Sequence, residues 1–201
     1  MLEYELPTSV ILNDTVHPIR KDGDFRMVLD CFRILQDEEL DETERILACL
    51  VVFYDDLDGI ESVYQLGDIE EAVKQMFSFF NCNQEDTGIK AEGKVIDWDK
   101  DALMIISAIN KVAGKEIRAE KYLHWWTFMS YYMGIGESAL ATVINIRRKL
   151  ITNKKLEKYE QEYVRDNPNL FRRRENYTKE EREFIESIRA NWNTGGKKDG
   201  S

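Results

Sequence analysis

Residues 68–80 read Asp68-Ile69-Glu70-Glu71-Ala72-Val73-Lys74-Gln75-Met76-Phe77-Ser78-Phe79-Phe80. The apolar set Ile69, Ala72, Val73, Met76, Phe77 and Phe80 recurs at a 3.6-residue period, the mark of an amphipathic helix. Asp68 with Glu71 supplies its start. No strand can bury that stripe on one face, because a strand alternates with a period of two. The segment therefore places the chain among helical folds.

The pattern continues on both sides. Asp41 with Glu44 forms a capping pair for a helix to about Tyr54, closed by Asp55-Asp56-Leu57-Asp58-Gly59. Asp24 caps an earlier helix through about Leu35, with Val28, Cys31, Phe32 and Leu35 at i, i+3, i+4 and i+7. Before it, residues 8–20 predict a β-hairpin. Thr8–Leu12 and Thr15–His17 flank Asn13-Asp14, two residues that tolerate positive φ in a tight turn. Pro18 donates no ladder bond, so the second strand must end there or lie at an edge.

On the other side, residues 81–96 hold two glycines and no period, and read as a long loop. A helix is expected from Asp97 to about Val112, stopped at Ala113-Gly114-Lys115. Another runs from about Ala119 to Met133 and is apolar over much of its circumference, so it should be central. Gly134-Ile135-Gly136 breaks the chain before a helix from about Glu137 to Leu150. Residues 153–165 are strongly polar and Pro168 interrupts them. Thr178 with Glu181 forms a capping box for a last helix through about Trp192, whose narrow apolar edge (Phe184, Ile185, Ile188, Trp192) needs a partner. Residues 194–201 read as an unstructured tail or an expression remnant. The expected architecture is mainly α. It is a multi-helix bundle (residues 1–152) with a short N-terminal β-hairpin, an extended helical C-terminal arm (153–193) and the tail.

Composition agrees. The 201 residues are 43% hydrophobic with only three prolines, enough to build a core and favourable to helices. The net charge of −10 is uneven. Residues 1–100 carry 24 acids and nine bases, a balance of −15, and residues 101–201 carry 14 acids and 19 bases, a balance of +5. The acidic front repels nucleic acid and anionic membrane. The asymmetry suits two solvated faces, or head-to-tail self-association, or docking onto an oppositely charged partner. Cys31, Cys49 and Cys82 form no C-x-x-C pair and read as reduced thiols, the first two in the core. The N-terminus shows no secretion signal, and no apolar run could span a bilayer.

Chemistry-bearing motifs are scarce. His17 and His124 lie in different elements without a neighbouring ligand, and no zinc pattern, phosphate loop or nucleophile elbow is present. Two acidic clusters invite comparison with calcium loops. Around Asp56-Leu57-Asp58-Gly59, positions 1 and 12 would be Tyr54 and Gln65. Around Asp97-Trp98-Asp99-Lys100-Asp101, positions 6 and 12 would be Ala102 and Ala108. Both fail, so these acids read as helix caps and first-turn acids. No metal and no cofactor is expected. The basic stretches Arg147-Arg148-Lys149, Lys154-Lys155 and Arg172-Arg173-Arg174 offer a docking surface, but interleaved acids weigh against nucleic acid. Trp125 and Trp126 point about 100° apart on a helix, so at least one should be core, leaving the other for a groove. The partner-binding candidates are Trp125, Trp126, Phe184, Ile188, Trp192, Arg147 and Arg148.

The run Asp97-Trp98-Asp99-Lys100-Asp101-Ala102-Leu103-Met104-Ile105, then Leu123-His124-Trp125-Trp126-Thr127-Phe128, Gly134, and Val143-Ile144-Asn145-Ile146-Arg147 resembles the bacteriophage Gp-fifteen family of siphophages. The N-terminal Leu6-Pro7-Thr8-Ser9-Val10-Ile11-Leu12-Asn13 stretch and Asp24-Phe25-Arg26 match its start. The resemblance implies a gene between those of the major tail protein and the tape measure protein. It also implies a role like that of tail assembly chaperones, which coat the tape measure protein, help tail tube subunits polymerise around it, and are absent from the finished virion. It carries no catalytic residues. The expectation is a non-enzymatic tail assembly chaperone in the host cell cytoplasm, with the tape measure protein as partner. The alternatives are a structural tail or connector component and a helical nucleic-acid-binding regulator.

Overall fold

The computed structural model describes residues 5–84 and 95–171. The chain divides into two compact units, Met1–Lys155 and Leu156–Ser201. The first is mainly helical with one small hairpin, as expected.

Strands β1 (Ser9–Leu12) and β2 (Thr15–Pro18) pair antiparallel, with Ile11 opposite Val16 and Leu12 opposite Thr15. Asn13 and Asp14 take φ of 49° and 63°, the left-handed pair that a two-residue hairpin turn demands. Pro18 is the last paired residue, and its carbonyl accepts from the Asp55 amide at 2.9 Å. The hairpin is thereby stitched to the end of the second helix. Arg20 reinforces this, donating to the carbonyls of Val51, Tyr54 and Leu57 at 3.1, 3.0 and 2.8 Å. Val51 lies in the last turn of that helix, where carbonyls lack intrahelical partners, and Tyr54 and Leu57 follow its end.

Helix α1 (Phe25–Leu35) is capped by Asp24, and α2 (Glu42–Phe53) by the reciprocal Asp41–Glu44 box. A 3₁₀ stretch, Ile60–Leu66, precedes α3 (Ile69–Phe80). Asp68 caps α3, while the Glu71 side chain turns to Lys74 and Gln75 instead of closing a box. Ala72, Met76 and Phe80 are buried as the stripe requires, and Phe79, which the stripe omits, is buried with them. The helix meets neighbours on more than one side, so its buried face is wider than the periodicity alone indicates.

Two helix starts differ from expectation. Helix α4 (Ala102–Ala113) begins five residues after Asp97. The Asp97 side chain accepts from the amides of Asp99 and Lys100 and holds a turn there, the local alternative that Asp offers the backbone. Helix α5 (Trp125–Met133) begins six residues after Ala119. A short 3₁₀ turn, Ile117–Ala119, is followed by extended chain that bridges to Asp24. Gly114, at φ 68°, closes α4 as expected. Ser138 caps α6 (Ala139–Ile151), and Asn153 follows its end at φ 52°.

Helix α1 lies between α2 and α5. Helix α3 packs on α2, α4 on α5, and α6 on α4. The core is aromatic. Phe25 stacks on Phe128 at 4.7 Å, Phe128 on Trp125 at 5.4 Å, and Phe53 meets Phe79 and Phe80 edge-on. Cys31 and Cys49 are reduced and buried where α1 meets α2, each thiol donating to the other's carbonyl. The second unit holds α7 (Lys158–Asp166) and α8 (Pro168–Phe171), with proline at the first helical position where its missing N–H costs nothing. The expected helix from Thr178 to Trp192 lies outside the described residues.

Candidate functional site

The Leu123–Phe128 stretch lies where α1, α3 and α5 converge. It starts from one buried carboxylate. Asp24 accepts from the Arg26 amide at 3.0 Å, which caps α1, and from the Leu123 amide at 2.9 Å. The Phe25 amide returns a bond to the Leu123 carbonyl. Arg26 meets the Asp24 charge at 3.0 Å and donates to the Glu120 carbonyl. One side chain thus starts α1 and fixes the chain entering α5.

His124 continues the joint. Its Nδ1 accepts from the Trp126 amide at 3.0 Å, capping α5, and its Nε2 donates to the Pro7 carbonyl at 3.0 Å. An imidazole accepting at one nitrogen and donating at the other is neutral. Burial holds its pKa below the ordinary histidine value of 6.5, with the Pro7 bond and Asp24 opposing. Gly23 lets the chain pass close by at φ 77°. A Cβ there would lie 2.8 Å from Phe79 Cζ and 2.9 Å from His124 Nε2.

The paired tryptophans complete it. The indole N–H of Trp125 donates to the Phe80 carbonyl at 2.9 Å and that of Trp126 to the Phe79 carbonyl at 3.0 Å. Two adjacent indoles therefore cap the last two residues of α3. Trp125 is core, at 1% exposure, and Trp126 is half-buried.

The two arginines among the candidates separate. Arg147 turns inward and pairs with Asp101, which is fully buried, with one bond at 2.9 Å, and donates to the Val95 carbonyl at 3.0 Å. Its charge is met inside the fold. Arg148 points to solvent. Phe184, Ile188 and Trp192 lie outside the described residues, as does the Arg172-Arg173-Arg174 stretch. Sequence reasoning missed the joint roles of Asp24 and His124, although the helix-capping part of Asp24 was legible. It also missed Arg20, which carries no local signal.

The groups with chemical reactivity are held within the structure. His17 Nδ1 lies 2.7 Å from Asp56. The hydrogen bond with Cys49 and burial push the Cys31 thiol far up, and burial pushes Cys82 up to about 11. A thiol so raised is a poor nucleophile at neutral pH. Among the described residues, no three of His, Cys, Asp and Glu gather as a metal-holding group, and no helix is long and apolar enough to cross a membrane. What the surface offers is contact. Ile11 and Val16 face outward from the hairpin as a cross-strand pair, and Ile60, Tyr64, Leu103 and Met133 are exposed on the first unit.

No curated protein and no solved structure matches the chain. The family model described as "Bacteriophage Gp15 protein" matches residues 2–172, a span that includes Asp24, the Leu123–Phe128 joint and the Asp101–Arg147 pair. The chain therefore belongs to the bacteriophage Gp15 protein family, phage proteins of structure or morphogenesis.

Proposed function

We propose that the chain is a tail assembly chaperone, which binds the tape measure protein while tail tube subunits polymerise around it and makes or breaks no covalent bond. The family match over residues 2–172 carries this reading. The physical features support it. A protein that holds a long helical client needs exposed apolar side chains on a highly charged body. This chain presents Ile11, Val16, Leu103 and Met133 at a net charge of −10. On this reading it acts in the host cytoplasm and is left out of the finished particle. The test is co-expression. The tape measure protein should become soluble with this chain and be retained by a tagged copy. A client that stays insoluble and is never retained would overturn the reading.

A second reading, a structural tail or connector component, fits the same family match. Mass spectrometry of purified particles separates the two: stoichiometric presence selects the structural role, and absence selects the chaperone.

A further inference from the structure

The first compact unit carries two exposed surfaces of opposite sign. One is the 3₁₀ stretch Ile60–Leu66 and the turn before it. A three-residue period turns Val63 and Leu66 inward and sets Glu61 and Tyr64 on the outer ridge. Ile60 is 48% exposed and Tyr64 66%. Asp55 and Asp56 are already engaged by Arg20 and His17. The exposed carboxylates of Asp58 and Glu61 meet no cation among the described residues. The other surface is the C-terminal end of α6. Leu150 is 41% exposed there, beside exposed Arg148, Lys154 and Lys155, none of which meets a carboxylate among the described residues. The acidic stretch packs on α2 and α3, whereas α6 packs on α4.

We propose that these surfaces bind each other between copies of this chain, the acidic ridge at Asp58, Glu61 and Tyr64 receiving the basic end of α6 from the next copy. The occupant follows from charge. Placing either surface on its own like in a two-fold dimer sets like charges together, whereas ridge against helix end joins carboxylates and cations that find no partner among the described residues and covers Tyr64 and Leu150. Such a contact is head-to-tail. Each added copy leaves one ridge and one helix end free, unless two copies pair reciprocally and use both contacts at once. Contacts between exposed charges are screened by salt, so association weakens as ionic strength rises. No client is needed, so failure here leaves the tape measure reading standing, and the reverse also holds.

The experiment uses the full chain in sedimentation velocity at low and high protein concentration, in about 50 mM and about 500 mM salt. Wild type should associate at low salt, as a dimer or a larger species, and revert towards monomer at high salt. Asp58→Lys with Glu61→Lys, and separately Lys154→Glu with Lys155→Glu, should each weaken association at least about tenfold, a change of about 1.4 kcal/mol. Circular dichroism checks that both variants are folded. Mixed together, the two variants should associate again, because each keeps the surface that the other has lost and the two reversed surfaces are once more of opposite sign. Wild-type monomer under all conditions, association unmoved by either reversal, or a mixture that fails to associate would each overturn the proposal.

Discussion

The Arg147 guanidinium closes on the Asp101 carboxylate across the α4–α6 contact, with Asp101 wholly shielded from water. A buried pair of this kind adds little net stability over an apolar pair, but removing one partner strands the other's charge. Arg147→Met alone should therefore destabilise the chain by about 3–5 kcal/mol. Arg147→Met combined with Asp101→Leu should recover most of that loss. Urea unfolding of the wild type and the two variants measures both outcomes, and equal losses in the single and double variants would contradict the pairing.

Replacing either tryptophan by phenylalanine keeps one aromatic ring and removes the pyrrole ring with its N–H. Trp125→Phe leaves the Phe80 carbonyl without its donor in the core, at a cost of about 1–3 kcal/mol. Trp126→Phe strands the Phe79 carbonyl nearer solvent, where water replaces part of the loss, so its cost should fall at or below the low end of that range, about 1 kcal/mol. Denaturant midpoints should rank the variants in that order.

His124 predicts how stability responds to acid. Its folded pKa lies below the unfolded value of 6.5, so the unfolded chain binds the extra proton first. The stability contributed by the neutral ring is complete above pH 6.5 and is lost as pH falls through the folded value. Protonation also sets Nδ1–H against the Trp126 N–H, removing the cap of α5. Glu116, held down to about 2 chiefly by the Arg118 side-chain bond, titrates well below this window. The urea midpoint should fall between pH 7.5 and 5.5, and His124→Asn, which retains a capping oxygen, should flatten that slope. An unchanged slope in the variant would count against the assignment.

Gly23→Ala should destabilise by more than about 1 kcal/mol, since the φ of 77° disfavours any side chain and the new methyl meets Phe79 and His124. A melting temperature lower by at least about 2–4 °C is the expected reading. The same substitution at Gly136, where a Cβ meets nothing within 4 Å, should shift it little.

Much of the secondary structure was legible in the residues. The Asn13-Asp14 turn, the Asp41–Glu44 box and the Asp24 and Asp68 caps are local devices, complete within a few residues, and the structure holds each of them. Expectation failed where a side chain had a choice. Asp97 and Ala119 both looked like helix starts, yet the helices begin at Ala102 and Trp125. Asp97 takes a local turn, and Asp24 holds the chain at Leu123, 99 residues away in sequence.

The candidate site was legible by composition more than by role. Leu123-His124-Trp125-Trp126 stood out, and at least one of the two tryptophans was expected in the core. That the two indoles would cap α3, that His124 would tie Pro7 to α5, and that Arg147 would turn inward while Arg148 stays in water could not be read from spacing. By itself, the order of residues determined the fold class, the hairpin and the caps, because those rest on period and on neighbours within one turn. Only tertiary structure decided which polar groups meet at the joint, since a buried donor finds whichever acceptor the packing of distant helices brings within about 3 Å.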